Sequence, residues 1–387
     1  MLINLWYVAE WSDTVKDKPV KVKLLGQNFV LFRDQQGKVS CLSDVCLHRG
    51  GSLSSGRTIR DCVACPYHGW QFNGDGKVEF IPSEGRDFKI PDRARVDAYP
   101  TEERYGMIWV FLGDAPEDER IPIPEFPEYS DTANWRALHD KWDWKAEAAR
   151  VVENGIDIAH ASFVHPMFGE AETAQENHIK NVELHDFWGR SWNEQYPPEL
   201  TGGFLNWRKL IRRDRQPTET IPTWYMAGMV VRIQINLNPR MSLIMFDANT
   251  PIDEHNTRTF AVQLRSFVKH PLFDAGSRKR LHKIFSEDQV ILEQSSPNYL
   301  PETLANELSV KDDRFMSSFR RARRSLIEEN GWLIDSAVVK AHDGRKSFAI
   351  PSPFRRERAD LRWVMDPVPL VPPLTSAVKI VDQAELS

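Results

Sequence analysis

The sequence is poor in cysteine, in long apolar runs and in net positive charge, and each shortage excludes a class of protein. Only four of its 387 residues are cysteine, which excludes a secreted scaffold stapled by disulfides. No apolar run reaches the length of about eighteen residues that predicts a membrane-spanning helix. The net charge of −5 gives no electrostatic reason to expect nucleic acid or an anionic membrane surface as a partner.

The start of the sequence lacks a targeting signal as well. Residues 1–7 show neither a basic segment nor a long apolar one, so we expect no signal peptide. With few cysteines to oxidise, the composition predicts a reducing, cytoplasmic location. The length is sufficient for two or three domains, and the 41% hydrophobic and 27% charged content is ordinary for a globular protein.

Two of the cysteines alternate with histidines in a pattern that predicts a metal centre. The sequence reads C-x-H and, after sixteen residues, C-x-x-H, so each of two short loops offers one thiolate and one imidazole. The four predicted ligands are Cys46, His48, Cys65 and His68. A Cys₂His₂ zinc site, the alternative, usually has both cysteines in one loop and both histidines in the other. The mixed loops instead resemble a Rieske [2Fe–2S] centre, in which two histidines replace two cysteines on one iron.

This resemblance distinguishes between two kinds of Rieske protein. The high-potential proteins of respiratory chains add a disulfide between the two loops, at the positions that Gly51 and Tyr67 occupy here. Because these residues cannot form it, the sequence resembles the low-potential ferredoxin and oxygenase type. Cys41 and Cys62 lie outside the motif and are expected to be small buried hydrophobic residues.

Strand and turn signals surround the motif and predict an all-β domain. Short Val-, Leu- and Phe-rich runs lie between residues 20 and 32, and Asn73-Gly74-Asp75-Gly76 is a strong hairpin signal. A proline- and acid-rich stretch follows, and we expect residues 116–127 to be a linker. The predicted domains are therefore 1–115 and 116–387, with the linker at the start of the second.

A second group of histidines follows the linker, within a run that favours helix. Asp157 and His160 are three residues apart, so they would share a helical face. His165 directly precedes Pro166, which disfavours helix there, and a turn would bring His165 back beside His160. Two histidines need a carboxylate to complete the facial triad of a non-haem Fe(II) oxygenase.

The predicted third ligand is Asp288, in a helical segment at 277–295. It sits in the middle of an apolar helical stripe formed by Leu281, Ile284, Phe285, Ile291, Leu292 and Ser295. A carboxylate on an apolar face is costly unless it is paired or binds a metal. An Asp paired with an arginine in helix packing is the alternative. Glu287 and Glu293 fall outside the stripe and are expected to be solvated.

Both motifs in this order resemble the α-subunit of Rieske non-haem iron oxygenases, the aromatic-ring-hydroxylating type. The pattern N-x-x-D-x-x-H-x-x-x-x-H is matched at Asn154, Asp157, His160 and His165, and the resemblance covers essentially the whole chain. The length is most similar to that of the phthalate-dioxygenase-like group, which includes the O- and N-demethylases.

The resemblance implies a fold, cofactors and partners. The fold is α+β, with an N-terminal all-β Rieske domain and a helix-grip catalytic domain in which helices cover an antiparallel sheet. The cofactors are a [2Fe–2S] cluster and a mononuclear Fe²⁺ on His160, His165 and Asp288, with O₂ as co-substrate. Electrons would come from NAD(P)H through a reductase or ferredoxin. A homotrimer is implied too, in which Asp157 bridges His68 of one subunit to His160 of the next, with Asn154 near the iron.

The activity implied is hydroxylation or oxidative demethylation of a small aromatic or cyclic substrate. One alternative is a Rieske electron-transfer protein with a C-terminal binding module, which would have no use for the triad. Another is the same iron centre performing desaturation or cyclisation.

Strand-like segments between residues 224 and 268 are expected to form the pocket. Its candidate lining residues are Tyr225, Met229, Ile233 and Leu243. Arg232 is expected to form a salt bridge rather than to face a substrate carboxylate. The arginines at 320–324 are expected to pair with nearby acids rather than to dock a ferredoxin, and the polar segment 169–178 to form a loop near the iron.

Overall fold

Strands make up most of the regular structure. The computed structural model describes residues 1–166, 168, 178–195, 218–301 and 306–374. The strands are β1 (Leu5–Trp11), β2 (Val20–Leu24), β3 (Gln27–Arg33), β4 (Val39–Ser43), β5 (Arg57–Ile59), β6 (Cys62–Ala64), β7 (Gln71–Asn73), β8 (Val78–Phe80), β9 (Ala98–Tyr99), β10 (Thr101–Arg104), β11 (Met107–Leu112), β12 (Arg136–Trp144), β13 (His178–Leu184), β14 (Trp188–Gln195), β15 (Thr218–Tyr225), β16 (Val230–Asn238), β17 (Met241–Pro251), β18 (Thr257–Arg265), β19 (Phe348–Ala349) and β20 (Asp366–Pro367). The α-helices are α1 (Ala148–Ile156), α2 (Ala161–Val164), α3 (Asp274–Gln294), α4 (Arg314–Glu328), α5 (Ser336–Ala341) and α6 (Pro353–Glu357).

Three small sheets build the N-terminal part. Their strand orders are β1-β11-β10, β2-β3-β4-β9 and β5-β6-β7-β8. The predicted hairpin forms between β7 and β8, where the Asn73 side chain accepts hydrogen bonds from the N–H groups of Asp75 and Lys77, both at 3.0 Å. Gly76 closes this turn with a φ of +76°, and a Cβ there would lie 2.2 Å from the Val96 carbonyl oxygen. Only glycine therefore fits at this position.

One large sheet carries the second half of the fold. Its seven strands run in the order β12-β18-β17-β16-β15-β14-β13, and each pairs antiparallel with its neighbours. β14 shows strict alternation of buried and half-buried residues, as expected for a strand with one covered face.

Helices α1 and α3 pack against this sheet. Helix α3 buries a stripe at helical spacing, made up of Ser277, Leu281, Ile284, Phe285, Asp288 and Leu292. The prediction that Ile291 and Ser295 belong to the stripe is wrong, because Ile291 is exposed and the half-buried Ser295 follows the end of the helix. Gly155 of α1 lies so close to β16 that a Cβ would meet Val231 Cγ1 at 3.0 Å. This close approach brings the end of α1, and the residues that follow it, down to the sheet.

The proline-rich segment after β11 is packed rather than free. Ile121, Ile123 and Phe126 are buried in the main hydrophobic core, which also contains residues of β1 and β11 and of the large sheet. Phe126 stacks on Phe246 of β17 with ring centroids 4.5 Å apart. Since one core spans both sides of residue 115, the predicted limits 1–115 and 116–387 stay a prediction.

Residues 349–365 return to the N-terminal part. Ala349 and Met365 join the small core around the two motif loops, and the Tyr99 hydroxyl donates to the Ile350 carbonyl at 2.7 Å. Asp97, fully buried, accepts hydrogen bonds from Arg355 at 2.9 and 2.5 Å and from the Ser352 hydroxyl at 2.8 Å. This buried ion pair fixes the C-terminal segment against the sheet that carries the first motif.

We expect Arg355→Met to lower the free energy of unfolding by about 3–5 kcal/mol, because it leaves the buried Asp97 carboxylate without its cation. Chemical denaturation followed by circular dichroism measures the loss. Arg358→Met is the control, since Arg358 pairs with the exposed Asp360 and should contribute less than about 1 kcal/mol. Equal losses of unfolding free energy in the two variants would show that the buried Asp97–Arg355 pair stabilises the fold no more than an exposed ion pair.

Candidate metal centres

The two motif loops have the same backbone hydrogen-bond pattern. In the first, the Cys46 N–H donates to the Gly51 carbonyl at 2.8 Å and the Gly50 N–H donates back to Cys46 at 2.9 Å. In the second, the Cys65 N–H donates to Trp70 and the Gly69 N–H donates back to Cys65, at the same two distances. Each loop is thus a tight turn that holds its cysteine at the base.

The four side chains predicted as ligands converge between the loops. Cys46 and Cys65 are buried, each 3% exposed, and the imidazole centroids of His48 and His68 are 4.5 Å apart. Trp70 stacks on the His48 ring at 4.7 Å, which fixes its plane. The buried Nδ1 of His48 has no hydrogen-bond partner among the described residues, as expected of an atom that binds a metal.

Electrostatics and space at this site fit a cluster bound through thiolates. Burial raises the pKa of the Cys46 thiol to about 12, and the nearby Cys65 adds to the shift, so a bound cation is needed to stabilise the thiolates. A Cβ at Gly51 would lie 2.9 Å from Cys65 Sγ, so only glycine leaves room beside this sulfur. The residues present therefore fit a [2Fe–2S] group.

The second predicted site is assembled from two helical segments. His160, His165 and Asp288 each offer one ligand atom, and these atoms lie within 4.8 Å of one another. The Nε2 atoms of the two histidines are 3.3 Å apart, and Asp288 Oδ1 lies 3.4 Å from His160 Nε2 and 3.0 Å from His165 Nε2. Two imidazoles and a carboxylate that converge in this way fit an open metal site of the non-haem iron type.

The backbone between Asp157 and His165 has a different conformation from the predicted one. Asp157 and His160 do not share a helical face, because α1 ends at Ile156 and Asp157 has extended backbone. His160 directly precedes the short helix α2. His165 directly follows it and has extended backbone, as expected before Pro166. The break between the two helices still leaves Asp157 Oδ2 3.7 Å from His160 Nδ1. The Ala159 N–H orients the carboxylate by donating to Oδ1 at 2.8 Å.

Glu287 is a site residue that the sequence reasoning missed. It was expected to be solvated, yet its Oε2 lies 2.9 Å from Nδ1 of His165, which is itself 2% exposed. A carboxylate that accepts this proton fixes the tautomer with a free Nε2 lone pair toward the metal. The sequence signal for this role is that Glu287 directly precedes the predicted ligand Asp288. Glu293 differs, since it binds Gln289 and the Lys145 N–H.

Asn154 and Glu153 are neighbours on α1 and have different roles. Asn154 donates from Nδ2 to Asp288 Oδ1 at a long 3.4 Å, so its amide lies beside the triad. Glu153 instead accepts hydrogen bonds from Arg320 and Arg150 and is buried, so it belongs to the ion-pair network that holds α1 to α4.

The charges at the triad favour a bound cation. Burial alone would lower the pKa of His160, but the carboxylates of Asp157 and Asp288 outweigh it and raise the pKa to about 9. Burial would raise the pKa of Asp288, but the two histidines overcome it and hold the pKa below its usual value. Two imidazoles and a carboxylate held this close together bind a proton or a metal ion strongly.

The triad opens on a cavity between the helices and the sheet. Apolar side chains form most of its wall, among them Trp144, Val151, Ile158, Val231, Ile233, Ile235, Met245, Ile284 and Phe285. Of the four lining residues predicted, Ile233 is correct. Tyr225, Met229 and Leu243 are wrong, since none of them lines the cavity and Met229 is buried in the main core.

The predicted roles of the arginines agree with the geometry. Arg232 is buried and donates to Glu128 at 2.7 Å, so it forms a salt bridge away from the cavity. Within 320–324, Arg320 pairs with Glu153 and Glu307, and Arg323 pairs with Glu147 at 3.1 Å. The predicted loop at 169–178 lies outside the described residues except for His178, the first residue of β13. None of the described helices is long and apolar enough to cross a membrane.

Two protein-family models match this chain. Residues 5–100 match the Rieske [2Fe-2S] domain, and residues 144–329 match the vanillate O-demethylase oxygenase C-terminal domain. The first range contains both motif loops and favours the iron–sulfur interpretation over zinc. The second contains His160, His165 and Asp288.

Relatives of known activity support both assignments. The chain is 27% identical over 316 residues to the methylxanthine N1-demethylase NdmA of Pseudomonas putida. The aligned region covers 80% of this chain and 83% of NdmA. The chain is 26% identical to the methylxanthine N3-demethylase NdmB of the same organism, over 85% of this chain and 86% of NdmB. Chlorophyllide a oxygenase of Chlamydomonas reinhardtii is 38% identical over 167 residues, a match that spans only 24% of that protein.

Solved structures share the fold. NdmA with caffeine superposes with a TM-score of 0.70 at 24% identity, over 84% of this chain and 91% of that one. Dicamba monooxygenase bound to 3,6-dichlorosalicylic acid superposes with a TM-score of 0.69 at 22% identity, over 84% and 97%. The predicted α+β architecture, a β Rieske domain followed by an antiparallel sheet covered by helices, is thereby confirmed. The chain belongs to the Rieske non-haem iron oxygenases, as an α-subunit related to the NdmA and NdmB demethylases and to vanillate O-demethylase.

Proposed function

We propose that this chain is a terminal oxygenase that hydroxylates or oxidatively demethylates a small, largely apolar, aromatic or cyclic substrate. It would use O₂ and electrons that a separate reductase or ferredoxin delivers from NAD(P)H. The observation that carries the proposal is the open His160, His165 and Asp288 triad on an apolar cavity, in the same chain as the two Rieske loops. Unpaired cysteines fit a reducing cytoplasmic setting.

The proposed cofactor ligands follow from the two sites. Cys46, His48, Cys65 and His68 would hold a [2Fe–2S] cluster, and the triad would hold Fe²⁺. The chemistry that these groups supply when bound is single-electron transfer and the activation of O₂. Glu287 orients His165, and Asp157 faces the outer nitrogen of His160.

The cavity wall supports the proposed substrate class. Aromatic and aliphatic side chains from both helices and sheet bind apolar rings and exclude water from the reaction. Asn154, at the junction of α1 and the triad, is placed to donate a hydrogen bond near the metal.

We further propose a homotrimer in which electrons cross between subunits. His68 and Tyr67 are exposed at the tip of the second loop, with Tyr67 64% exposed, so this edge of the cluster site is open to another surface. Asp157 keeps 25% of its side chain exposed beside His160. A carboxylate that accepts protons from His68 of one subunit and His160 of the next would couple the two sites.

His160→Ala tests the oxygenase proposal. We expect it to abolish substrate-dependent O₂ consumption and to lower the iron content from about three to about two atoms per two acid-labile sulfides, because the triad loses a ligand while the cluster keeps its four. The visible absorption of the cluster should stay unchanged. Loss of the cluster absorption as well would contradict two separate sites, and unchanged turnover would contradict the triad.

Asp157→Asn tests the electron route. The variant should retain both metals but oxidise its reduced cluster about 10–100-fold more slowly in a single turnover, because an amide cannot accept both imidazole protons as a carboxylate does. Stopped-flow absorption of the cluster measures this rate. Asp186→Asn, on the exposed turn between β13 and β14, is the charge-matched control. Wild-type rates in the Asp157 variant would remove this residue from the route.

Glu287→Gln tests the newly found contact to His165. The affinity of the triad for Fe²⁺ is expected to fall about 10–100-fold, since the outer carboxylate fixes the tautomer and raises the basicity of its histidine. Titration of the iron-depleted triad with Fe²⁺ measures the affinity. Glu293→Gln lies on the same helix and should bind iron like the wild type. Equal affinities in all three proteins would show that Glu287 does not support the ligand.

A further inference from the structure

Asp247 is a buried acid that the metal chemistry does not use. It lies on β17, lines the cavity and is 8% exposed. Its Oδ1 has no hydrogen-bond partner within the described part of the chain. Among the described residues, the other ionisable ones that line the cavity are Asp157, His160, His165 and Asp288, all of which belong to the proposed metal centre. A buried carboxyl without a partner is unusual in a folded protein and calls for an explanation.

The described neighbours of Asp247 supply no donor to its carboxyl group. In the sheet it lies between Val231 of β16 and Ala261 of β18, both apolar. Asn249, two residues along the same face, donates its amide protons to the carbonyls of Met229 and Asp247 at 2.9 and 3.1 Å, not to the carboxyl group. Thr259, the partner of Asn249 in β18, donates its hydroxyl to the Asn249 side chain.

A purely structural role does not account for this arrangement. Buried carboxylates that stabilise a fold are paired, as Asp97 is with Arg355 in this chain. Asp247 has no such cation in the part of the chain that the structure describes, and burial raises the pKa of its carboxyl group to about 8. An acid in this position opposes folding at neutral pH, so its benefit must come from something bound in the cavity.

We propose that Asp247 is a specificity-determining residue, which selects substrates that carry a protonated or N–H-bearing nitrogen on an otherwise apolar ring. This inference rests on the proposed function, because it places the substrate of the same iron site. The ligand nitrogen would donate its hydrogen to the carboxylate, while the surrounding aliphatic and aromatic wall takes the ring. A charged N–H donor forms a hydrogen bond about twice as strong as a neutral one, so an amine gains more here than an alcohol.

The placement also orients the substrate. The triad lies on the helices, whereas Asp247 lies on the sheet that forms the opposite wall of the cavity. A ring anchored by its nitrogen at Asp247 would direct its remaining atoms toward the triad. Selection of the reacting position would then come from the geometry of this anchor rather than from the apolar wall, which discriminates weakly between similar rings.

The test compares two ligands of the same size and shape. Tetrahydroisoquinoline carries a basic secondary amine, and tetralin is its hydrocarbon counterpart. Anaerobic calorimetric titration of the iron-loaded protein gives the affinity of each. We expect the wild type to prefer the amine by about tenfold or more, and Asp247→Asn to lose most of this preference while still binding tetralin.

Two controls separate recognition from damage to the fold. Asp247→Asn should melt at the wild-type temperature or above it, because it removes an unpaired acid from a buried position. Asp143→Asn removes the same charge from an exposed side chain that pairs with Arg258, and it should keep the preference for the amine. A wild type that does not prefer the amine, or that fails to bind it in the millimolar range, overturns the proposal. So does an unchanged preference in Asp247→Asn.

Failure here is distinguishable from failure of the proposed function. The titration measures binding alone, whereas the oxygenase proposal depends on the iron-to-sulfide ratio and on substrate-dependent O₂ consumption. A protein with an intact triad and no preference for the amine would retain the oxygenase assignment and lose the role of Asp247.

Discussion

The convergence of three ligands from distant parts of the chain is the constraint on which the catalytic half depends. His165 and Asp288 come within 3.0 Å only if the region after α1 and the middle of α3 meet over the sheet. Packing of Leu281, Phe285 and Leu292 against Trp144 and Met245 holds α3 in place. On the other side of α1, Glu153 binds Arg320 of α4. Apolar contact and buried ion pairs thus support the geometry of the candidate ligands.

The sequence was sufficient to propose the candidate ligands because their chemistry is demanding. Two Cys and two His at fixed spacing have few uses, and an acid in an apolar helical stripe is costly enough to identify Asp288. Glu287 was missed because, on its own helix, it points away from the stripe. On that helix it pairs with Lys283 at 3.6 Å, whereas its hydrogen bond to His165 joins a different segment and is a contact that no local pattern contains. The helical break after Ile156 was missed for a related reason, since spacing alone predicts a shared face.

The alternation of residues along a strand predicts which face is covered, but not which residues of that face line the cavity. The predicted face is correct for Ile233, and its neighbours on the same face, Val231 and Ile235, also line the cavity. Met229 was assigned wrongly because it ends a tight turn with a φ of +48° and enters the main core. Leu243 precedes Met245 on the same face, but the cavity begins only at Met245. How far a cavity extends along a strand depends on which helices cover it, and this is a property of the assembled fold.

The two proposed metal centres differ in exposure, and this difference matches their tasks. At the cluster site the cysteines are buried while His68 and Tyr67 face solvent, so a partner surface can approach the imidazole edge. At the triad His165 is 2% exposed and the wall is apolar, which excludes water from oxygen chemistry. An unpaired acid such as Asp247 weakens that apolar wall and costs stability. A function that tolerates this cost must gain more from selecting its substrate than the fold loses, which is the usual balance between stability and activity at a binding site.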